Sequence, residues 1–481
     1  MTTALQPWDY LAAAAEATPD APAIVTVRQV IPYRQLLTIS ARFAHVLRER
    51  GVTPGDVVAL NVPSQLNSLL TWAVFHEAAI VCSYRPALRD DEHVGPKLVV
   101  TTVPLDELEP ERVLLVDDNF LEALSTNDVT DQPLRFASGD SICRFTFTSG
   151  TTGTPKTIAQ TIDRLHRKSH RSWFVNRSVS QVMSLFPPAD GPGWGFRYAC
   201  VMGGMPYYVP ESIPGIAALV HREKVREIVG SSGQITQLAT YLERNTMRLN
   251  GVDTITTGGS ALPSLVAEQI LRVTNAPYVE NQFAATEVGS ISILRKPTDN
   301  RNFVGTLVKD VGVQIVDPET HTPLPDGEVG VVRVTSPDII DGYFHNPEAT
   351  ASNFRDGWFY TGDLGHLVGD EFYLDGRIAE IINAGGVKTN PTWVDDHVSK
   401  IPGVLECATF ARYGSTGLPV VACAVILGSE STDDELTAAV TKELGAHAPR
   451  EWYRVESIPR TDMGKPLRRA LTEQYSESLP R

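Results

Sequence analysis

Between residues 24 and 102, short aliphatic and β-branched runs (AIVTV, VVALNV, KLVVTT) alternate with longer stretches whose apolar positions recur at helical spacing (YRQLLTISARFAHVLRERG, NSLLTWAVFHEAAIV). This strand–helix–strand rhythm predicts a parallel sheet with helices on its faces. It returns at 182–185, 222–230, 254–257 and 277–280, predicting a second α/β layer. From 305 to 373 the pattern shortens to alternating strands broken by Gly, Pro and Asp (VGVQIVDPET, GEVGVVRVTS), which predicts a small antiparallel or β-barrel-like region. After Gly376 come VACAVIL, the helical DDELTAAVTKELG and the basic PRTDMGKPLRRAL. The expected fold is α/β: a large N-terminal domain, residues 1–375, of two α/β subdomains plus the barrel-like region, followed by a small mobile α+β C-terminal domain, residues 376–481.

A chain of 481 residues suffices for about three domain-sized units and a substantial core. Its 57 acidic residues outnumber 42 basic ones, a net charge of −15. Proteins that neutralise a phosphate backbone concentrate Lys and Arg, so nucleic acid is not expected as a partner. No apolar run approaches the roughly 18 to 20 residues that span a bilayer, and no membrane partner is expected. The first residues, MTTALQPWDYLAAAAEATPD, lack a basic segment followed by an apolar one, so a cytoplasmic location is expected. Cys82, Cys143, Cys200, Cys407 and Cys423 form no CxxC pair, which predicts buried free thiols and neither disulfides nor a thiolate metal site.

Residues 146–158 are TFTSGTTGTPKTI. Hydroxyl side chains interleaved with Gly150 and Gly153, closed by Pro155 and Lys156, make a loop whose N–H groups and hydroxyls can surround phosphate oxygens while the lysine adds a point charge. A Walker A loop needs Gly immediately before the lysine, and Pro155 stands there. TFTSGTTGTPK resembles the signature of the AMP-forming adenylate superfamily of acyl- and aryl-CoA synthetases, amino-acid-activating domains and firefly-type luciferases. Four further stretches follow in the family's order. NQFAATE (281–287) is similar to its Asn-x-aromatic-Gly-x-Thr-Glu, and DGWFYTGDLG (356–365) to its Thr-Gly-Asp segment. GRIAEIINAGGVKTNPTWVD (376–395) resembles the hinge and following glycine turn, and PRTDMGKPLRR (459–469) the terminal lysine motif.

The resemblance implies attack of a carboxylate on the α-phosphorus of ATP, a step that brings two anions together and needs charge neutralised on the phosphoryl group and on the leaving pyrophosphate. By resemblance, Thr148, Ser149, Gly150, Thr151, Thr152, Gly153, Thr154 and Lys156 would hold the β and γ phosphates. Thr286 would hold the α-phosphate, and Glu287 a Mg²⁺ ion, for which a hard carboxylate is the natural ligand. Asp363 would accept both ribose hydroxyls. Asn281 would contribute to the nucleotide site, and Phe283 would stack on adenine, with Gly258, Gly259, Ser260 and Ala261 on the opposite face. Arg377 would contact ribose or phosphate, and Lys465 would reach the α-phosphate and carboxylate oxygens once the small domain closes. Gly385 and Gly386 would line a pantetheine channel, with Lys388 meeting the acceptor's phosphate. The acid would lie near Asp190, Trp194, Gly195, Phe196, Ser232 and Gly258, where a bulky aromatic pair opposite small residues suits a flat aryl or short-chain acid.

Three positions depart from the family's pattern. Ala379 occupies the hinge, where Asp or Lys is usual; Ala284 replaces the glycine after the aromatic residue; Asp190 stands where many relatives carry His. An Asp at 190 could pair with a substrate ammonium or simply face water. The chain is also trimmed between Ile80 and Val99. RLHRKSHR (164–171) places His166 and His170 at i,i+4 but lacks the Glu of a zincin motif, and is expected to be a solvated basic face; contact with CoA phosphates or an acidic carrier surface is the lesser alternative. No carrier-domain serine motif follows Arg469. The expected activity is AMP-forming acid–CoA ligation with ATP, Mg²⁺ and CoA. The alternatives are a stand-alone adenylation enzyme loading an amino or aryl acid onto the phosphopantetheine of a separate carrier protein, and a non-catalytic nucleotide-binding relative. The expected partners are a small carboxylic acid and the thiol acceptor, with a homodimer left open.

Overall fold

The computed structural model describes residues 5–126, 133–135, 137–148, 156–171, 181–187, 191–259, 262, 264–295, 303–428, 431–460 and 466–477. In helix Tyr33–Glu49 the buried residues Tyr33, Leu36, Ser40, Phe43, Ala44 and Leu47 recur at three- and four-residue steps, so one stripe faces the core. It lies beside Ser64–His76, a helix buried on nearly every side. Both belong to a layer whose six strands run in the order Val113–Leu115, Leu98–Thr101, Val57–Asn61, Ile80–Ser83, Ile142–Thr148, Lys156–Thr161. All neighbours are parallel except the last pair. The helical pattern that continued to Val81 stops at His76: Ala78 takes a left-handed φ of 53°, and the chain re-enters the sheet at Ile80. Pro22–Thr26, expected in this layer, instead pairs with Tyr207–Val209 and Val30–Pro32 in a separate three-stranded sheet.

Where that helix ends, Glu77 is fully buried, yet it is surrounded by basic side chains. Arg48 donates from Nη2 at 2.7 Å and from Nε at 3.0 Å, Arg135 Nε lies 3.1 Å away and His76 Nδ1 2.9 Å away. Burial alone would raise the Glu77 carboxyl, but hydrogen bonds from His76 and Arg48 and the charges of Arg48 and Arg135 hold it below the usual carboxylate range. Glu77→Gln is expected to cost about 3–5 kcal/mol at neutral pH, because two guanidinium groups lose their buried counter-charge. A folded-state pKa below the unfolded one gives stability that is present above the unfolded carboxylate range and lost as pH falls through the lowered value. Urea unfolding of both proteins from pH 7 down to pH 2 should therefore show a gap that closes on acidification; equal stability at pH 7 would contradict the account.

The second layer contains four parallel strands, Val182–Ser184, Glu227–Ser231, Thr254–Gly258 and Val279–Ala285. Residues 222–226 of the expected strand instead complete helix Ile213–Glu223 and its left-handed exit at Lys224. The region 305–373 is antiparallel, the first of the two expected forms, and not a separate barrel. A tight reversal after Ala285 turns Gly289–Leu294 antiparallel, and Phe303–Leu307, Glu371–Arg377, Trp358–Val368, Gly330–Thr335 and Gly312–Val316 extend the same sheet, which has eleven strands among the described residues. Its distal strands enclose their own apolar cluster around Ile291, Val332, Val334 and Phe372. Strand Glu371–Arg377 then leads through a 3₁₀ turn, Ile378–Glu380, into a small α+β unit in which Val404–Tyr413, Pro419–Leu427 and Glu451–Arg454 pack on Pro391–Val398 and Asp433–Leu444. Among the described residues no helix is long and apolar enough to cross a membrane. Cys82, Cys143, Cys200 and Cys423 are buried and Cys407 half-buried, all as free thiols.

Candidate functional site

The hydroxyl-rich loop closes on a strand pair: Thr148 lies opposite Lys156 in the antiparallel ladder, and its Oγ1 donates to the Lys156 carbonyl at 3.5 Å. Ser149, Gly150, Thr151, Thr152, Gly153 and Thr154 lie outside the described residues. Lys156 Nζ donates to Asn353 Oδ1 at 2.8 Å and stands 4.6 Å from the centre of the Tyr343 ring. Burial lowers its ammonium pKa, Glu287 opposes that shift, and the charge of Arg377 adds to it.

Glu287 sits in the reversal between Val279–Ala285 and Gly289–Leu294, with only 8% of its surface exposed. Its Oε1 accepts a 2.8 Å hydrogen bond from Tyr343, and its carbonyl accepts from Ile340 N at 2.9 Å. Phe344 N in turn donates to the Thr157 carbonyl at 2.8 Å, so the segment carrying Tyr343 joins the two layers. Among the described residues no three His, Cys, Asp or Glu side chains form a metal cage. A lone buried carboxylate fits Mg²⁺, which is commonly held by one or two carboxylates together with substrate phosphates and water.

Asp363 and Arg377 face each other across the ladder of Trp358–Val368 and Glu371–Arg377. Arg377 Nε donates to Asp363 Oδ1 at 2.9 Å, and Asp363 is 7% exposed. Burial disfavours the Arg377 charge, but Asp363, Glu380 and Glu287 outweigh it and raise the guanidinium above its usual value. Lys156, Glu287, Tyr343, Asp363 and Arg377 thus converge within electrostatic reach from two sheets.

Phe283 is half-buried with its ring 5.7 Å from Phe372, and Asn281 accepts from Thr257 Oγ1 at 3.2 Å. Gly258 lies opposite Gln282 in the parallel ladder, 3.4 Å from its carbonyl by the position of an added Cβ, which brings the Gly258–Gly259 turn beside the Phe283 strand. Ser260 and Ala261 lie outside the described residues. Thr286 and Ala284 flank the same reversal, half-buried and exposed respectively. Ser232 is buried at the start of helix Ser232–Arg244, which Ser231 and Gln234 cap reciprocally.

Helix Gly191–Met202 turns its aromatic residues inward. Trp194, 3% exposed, stacks on Tyr198 at 5.4 Å with the Arg144 guanidinium 4.5 Å from its ring, and Phe196 packs 5.9 Å from Tyr207. The bulky pair expected along the acid pocket is therefore packed into the core, from two different sides of a helix that is buried nearly all round. The open side belongs to Gly195, where a Cβ would meet nothing within 4 Å, and to Gly191, 3.8 Å from the Thr146 methyl by the same construction. Asp190 lies outside the described residues.

The basic run is not a solvated face. Arg164 donates to the carbonyls of Asp338 and Ile339, and burial pushes it down to about 10. Lys168, one turn on, is pushed down to about 8 by burial and by Arg164. Segment 336–341 packs against that side of the helix, a contact no local pattern reports. His166 lies between Tyr10 and Tyr198, at 5.2 and 6.1 Å, and the side chain of His170 lies outside the described residues.

At the expected hinge, Asn390 Nδ2 donates to the Asp375 carbonyl at 2.9 Å while its Oδ1 caps Pro391–Val398 through Thr392 N. Gly376 has φ 136°, and a Cβ there would come within 2.9 Å of the Asn390 amide, so only glycine passes. Ala379 is exposed in the 3₁₀ turn. Gly385 and Gly386, both at positive φ, make the two-residue turn of an exposed hairpin with Lys388 on its return strand. Lys465 lies outside the described residues. Tyr343 and Asn353 escaped the sequence reading; the helix start Asn346-Pro347-Glu348 was the available signal that an ordered segment stands there.

The model of the AMP-binding enzyme family matches residues 11–344, and that of the AMP-binding enzyme C-terminal domain matches 394–465. A feruloyl-CoA synthase from Amycolatopsis is 26% identical, covering 96% of this chain and 97% of its own length. A 2-succinylbenzoate–CoA ligase from Listeria monocytogenes is 30% identical over 69% of each chain. Among solved structures, ATP-bound MatB from Rhodopseudomonas palustris superposes with a TM-score of 0.82 at 22% identity, covering 98% of this chain and 99% of its own. The chain belongs to the AMP-binding enzyme family.

Proposed function

We propose that the protein is an AMP-forming ligase that joins an aryl or short-chain carboxylic acid to CoA. The observation that carries this reading is the convergence of Lys156, Glu287, Asp363 and Arg377, a set that offers cations and a metal-binding carboxylate to a triphosphate and a second carboxylate to a ribose. In the first half-reaction a carboxylate oxygen bonds to the α-phosphorus, the α–β anhydride bond breaks and pyrophosphate leaves. Thr148, Lys156 and the loop between them hold the β and γ phosphates, Thr286 the α-phosphate, and Lys465 neutralises the charge that develops there. Glu287 would hold Mg²⁺, which supplies charge neutralisation at the phosphates. Asp363 accepts from both ribose hydroxyls, and Phe283 and the Gly258–Gly259 turn bracket adenine. In the second half-reaction the CoA sulfur bonds to the carbonyl carbon, the bond to AMP breaks, and the thiol proton passes to solvent. The small domain beyond residue 375 rotates between the halves, bringing Gly385, Gly386 and Lys388 to the acceptor.

The open glycine side of Gly191–Met202, which the resemblance groups with Ser232 and Gly258 around the acid, suits a flat acid, and the feruloyl-CoA synthase relative favours an aryl one. Pyrophosphate release with aryl, short-chain, long-chain and amino acids, with and without CoA, tests this. An aryl or short acid should turn over slowly alone and yield its thioester when CoA is added. Adenylate that ignores CoA and is consumed by a phosphopantetheinylated carrier would favour the carrier-loading alternative, and no adenylate with any acid would favour a non-catalytic binder.

A further inference from the structure

Tyr343 lies outside every motif quoted from the sequence, yet it touches two of the groups on which the site depends. Its hydroxyl donates to Glu287 Oε1 at 2.8 Å, and the Lys156 ammonium stands 4.6 Å from the centre of its ring. The residue is 6% exposed and packs with Ile158 and Ile340 in a small cluster between the two layers. Its backbone neighbours fix it from both sides: Ile340 N holds the Glu287 carbonyl and Phe344 N the Thr157 carbonyl. Thr350 Oγ1 accepts from Tyr343 N at 2.9 Å and ties the segment to helix Pro347–Asn353, whose last residue, Asn353, accepts from Lys156.

This geometry has a direct chemical consequence. A carboxylate with one oxygen committed to a phenol has a fixed plane and one oxygen left to bind a cation. Lys156 is held over the same ring and by Asn353 in place of an ion pair with Glu287, which leaves its charge for phosphate oxygens.

We infer that Tyr343 is a positioning residue that orients Glu287 for Mg²⁺ and separates it from Lys156, so that metal and lysine address different oxygens of one triphosphate. The inference rests on the assignment of Glu287 as the Mg²⁺ ligand. In the homologous outer positions of metal sites, loss of such a hydrogen bond lowers metal affinity by about 10–100-fold.

The test is calorimetric titration of ATP into the full-length protein at a series of Mg²⁺ concentrations. Tyr343→Phe keeps the ring and removes only the hydroxyl. It should bind ATP like the wild type without Mg²⁺ and need about 10–100-fold more Mg²⁺ for the tight state. Tyr343→Leu, which also removes the ring, should weaken ATP binding even without Mg²⁺. Glu287→Gln is the control. If it shifts the Mg²⁺ requirement and Tyr343→Phe does not, this inference is overturned and the Glu287 assignment stands. If neither shifts, both fall. A Tyr343→Phe loss of ATP affinity that is equal with and without Mg²⁺ marks a merely structural role and also overturns the inference.

Discussion

Lys465→Ala is expected to lower acyl-adenylate formation by about 10²–10³-fold, the cost of removing one preorganised donor from a developing oxyanion, while ATP still binds. The lysine belongs to 461–465, and the ends of that segment are described: Arg460 and Pro466 form an antiparallel bridge. Just beyond, Arg468 is half-buried and donates to the Thr409 carbonyl at 2.7 Å, with Asp395 at 2.7 Å and Glu380 of the turn Ile378–Glu380 at 3.5 Å. The segment therefore leaves an anchored base that is tied to both the small α+β unit and the turn Ile378–Glu380. Single-turnover adenylation measures the first half-reaction; synthetic acyl-AMP with CoA measures the second. Loss confined to the first supports the assignment, and undiminished adenylation in Lys465→Ala would sink it.

The second large effect is expected at Asp363. Two charge-assisted hydrogen bonds at about 1.5–3 kcal/mol each imply that Asp363→Ala weakens ATP about 10²–10⁴-fold. The same substitution strips Arg377 of its 2.9 Å partner, so a bare affinity loss would be ambiguous. The sugar resolves it. Wild-type protein should discriminate strongly between ATP and its 2′,3′-dideoxy analogue, and Asp363→Ala should bind the two about equally. A variant that keeps the full discrimination would show that the ribose hydroxyls are held elsewhere.

Both expectations rest on residues that the sequence offers in contiguous motifs. Thr148, Lys156, Glu287 and Asp363 stand in contiguous motifs whose residue types are demanded by phosphate, metal and sugar chemistry, so local order reports them. Tyr343 and Asn353 serve the same groups from loop and helix positions where a tyrosine or asparagine is ordinary. Their role depends on pairing between Phe344 and Thr157, far apart in the chain. RLHRKSHR misled because composition gives charge but not direction; segment 336–341 draws Arg164 inward. Trp194 and Phe196 are apolar residues on a helix, and only the finished packing tells that Gly191 and Gly195 keep the open side. The continuity of 305–373 with the second layer rests on strand pairs such as Phe303 with Tyr373, which no local window contains.

The most direct test of the account follows oxygen. With a carboxylic acid labelled with ¹⁸O in both carboxyl positions, ATP and CoA, one labelled oxygen should appear in AMP and the other should stay in the thioester carbonyl, because the carboxylate oxygen that attacks the α-phosphorus leaves with it. Label in inorganic phosphate with release of ADP, or thioester formed with no label in AMP, would contradict the AMP-forming mechanism.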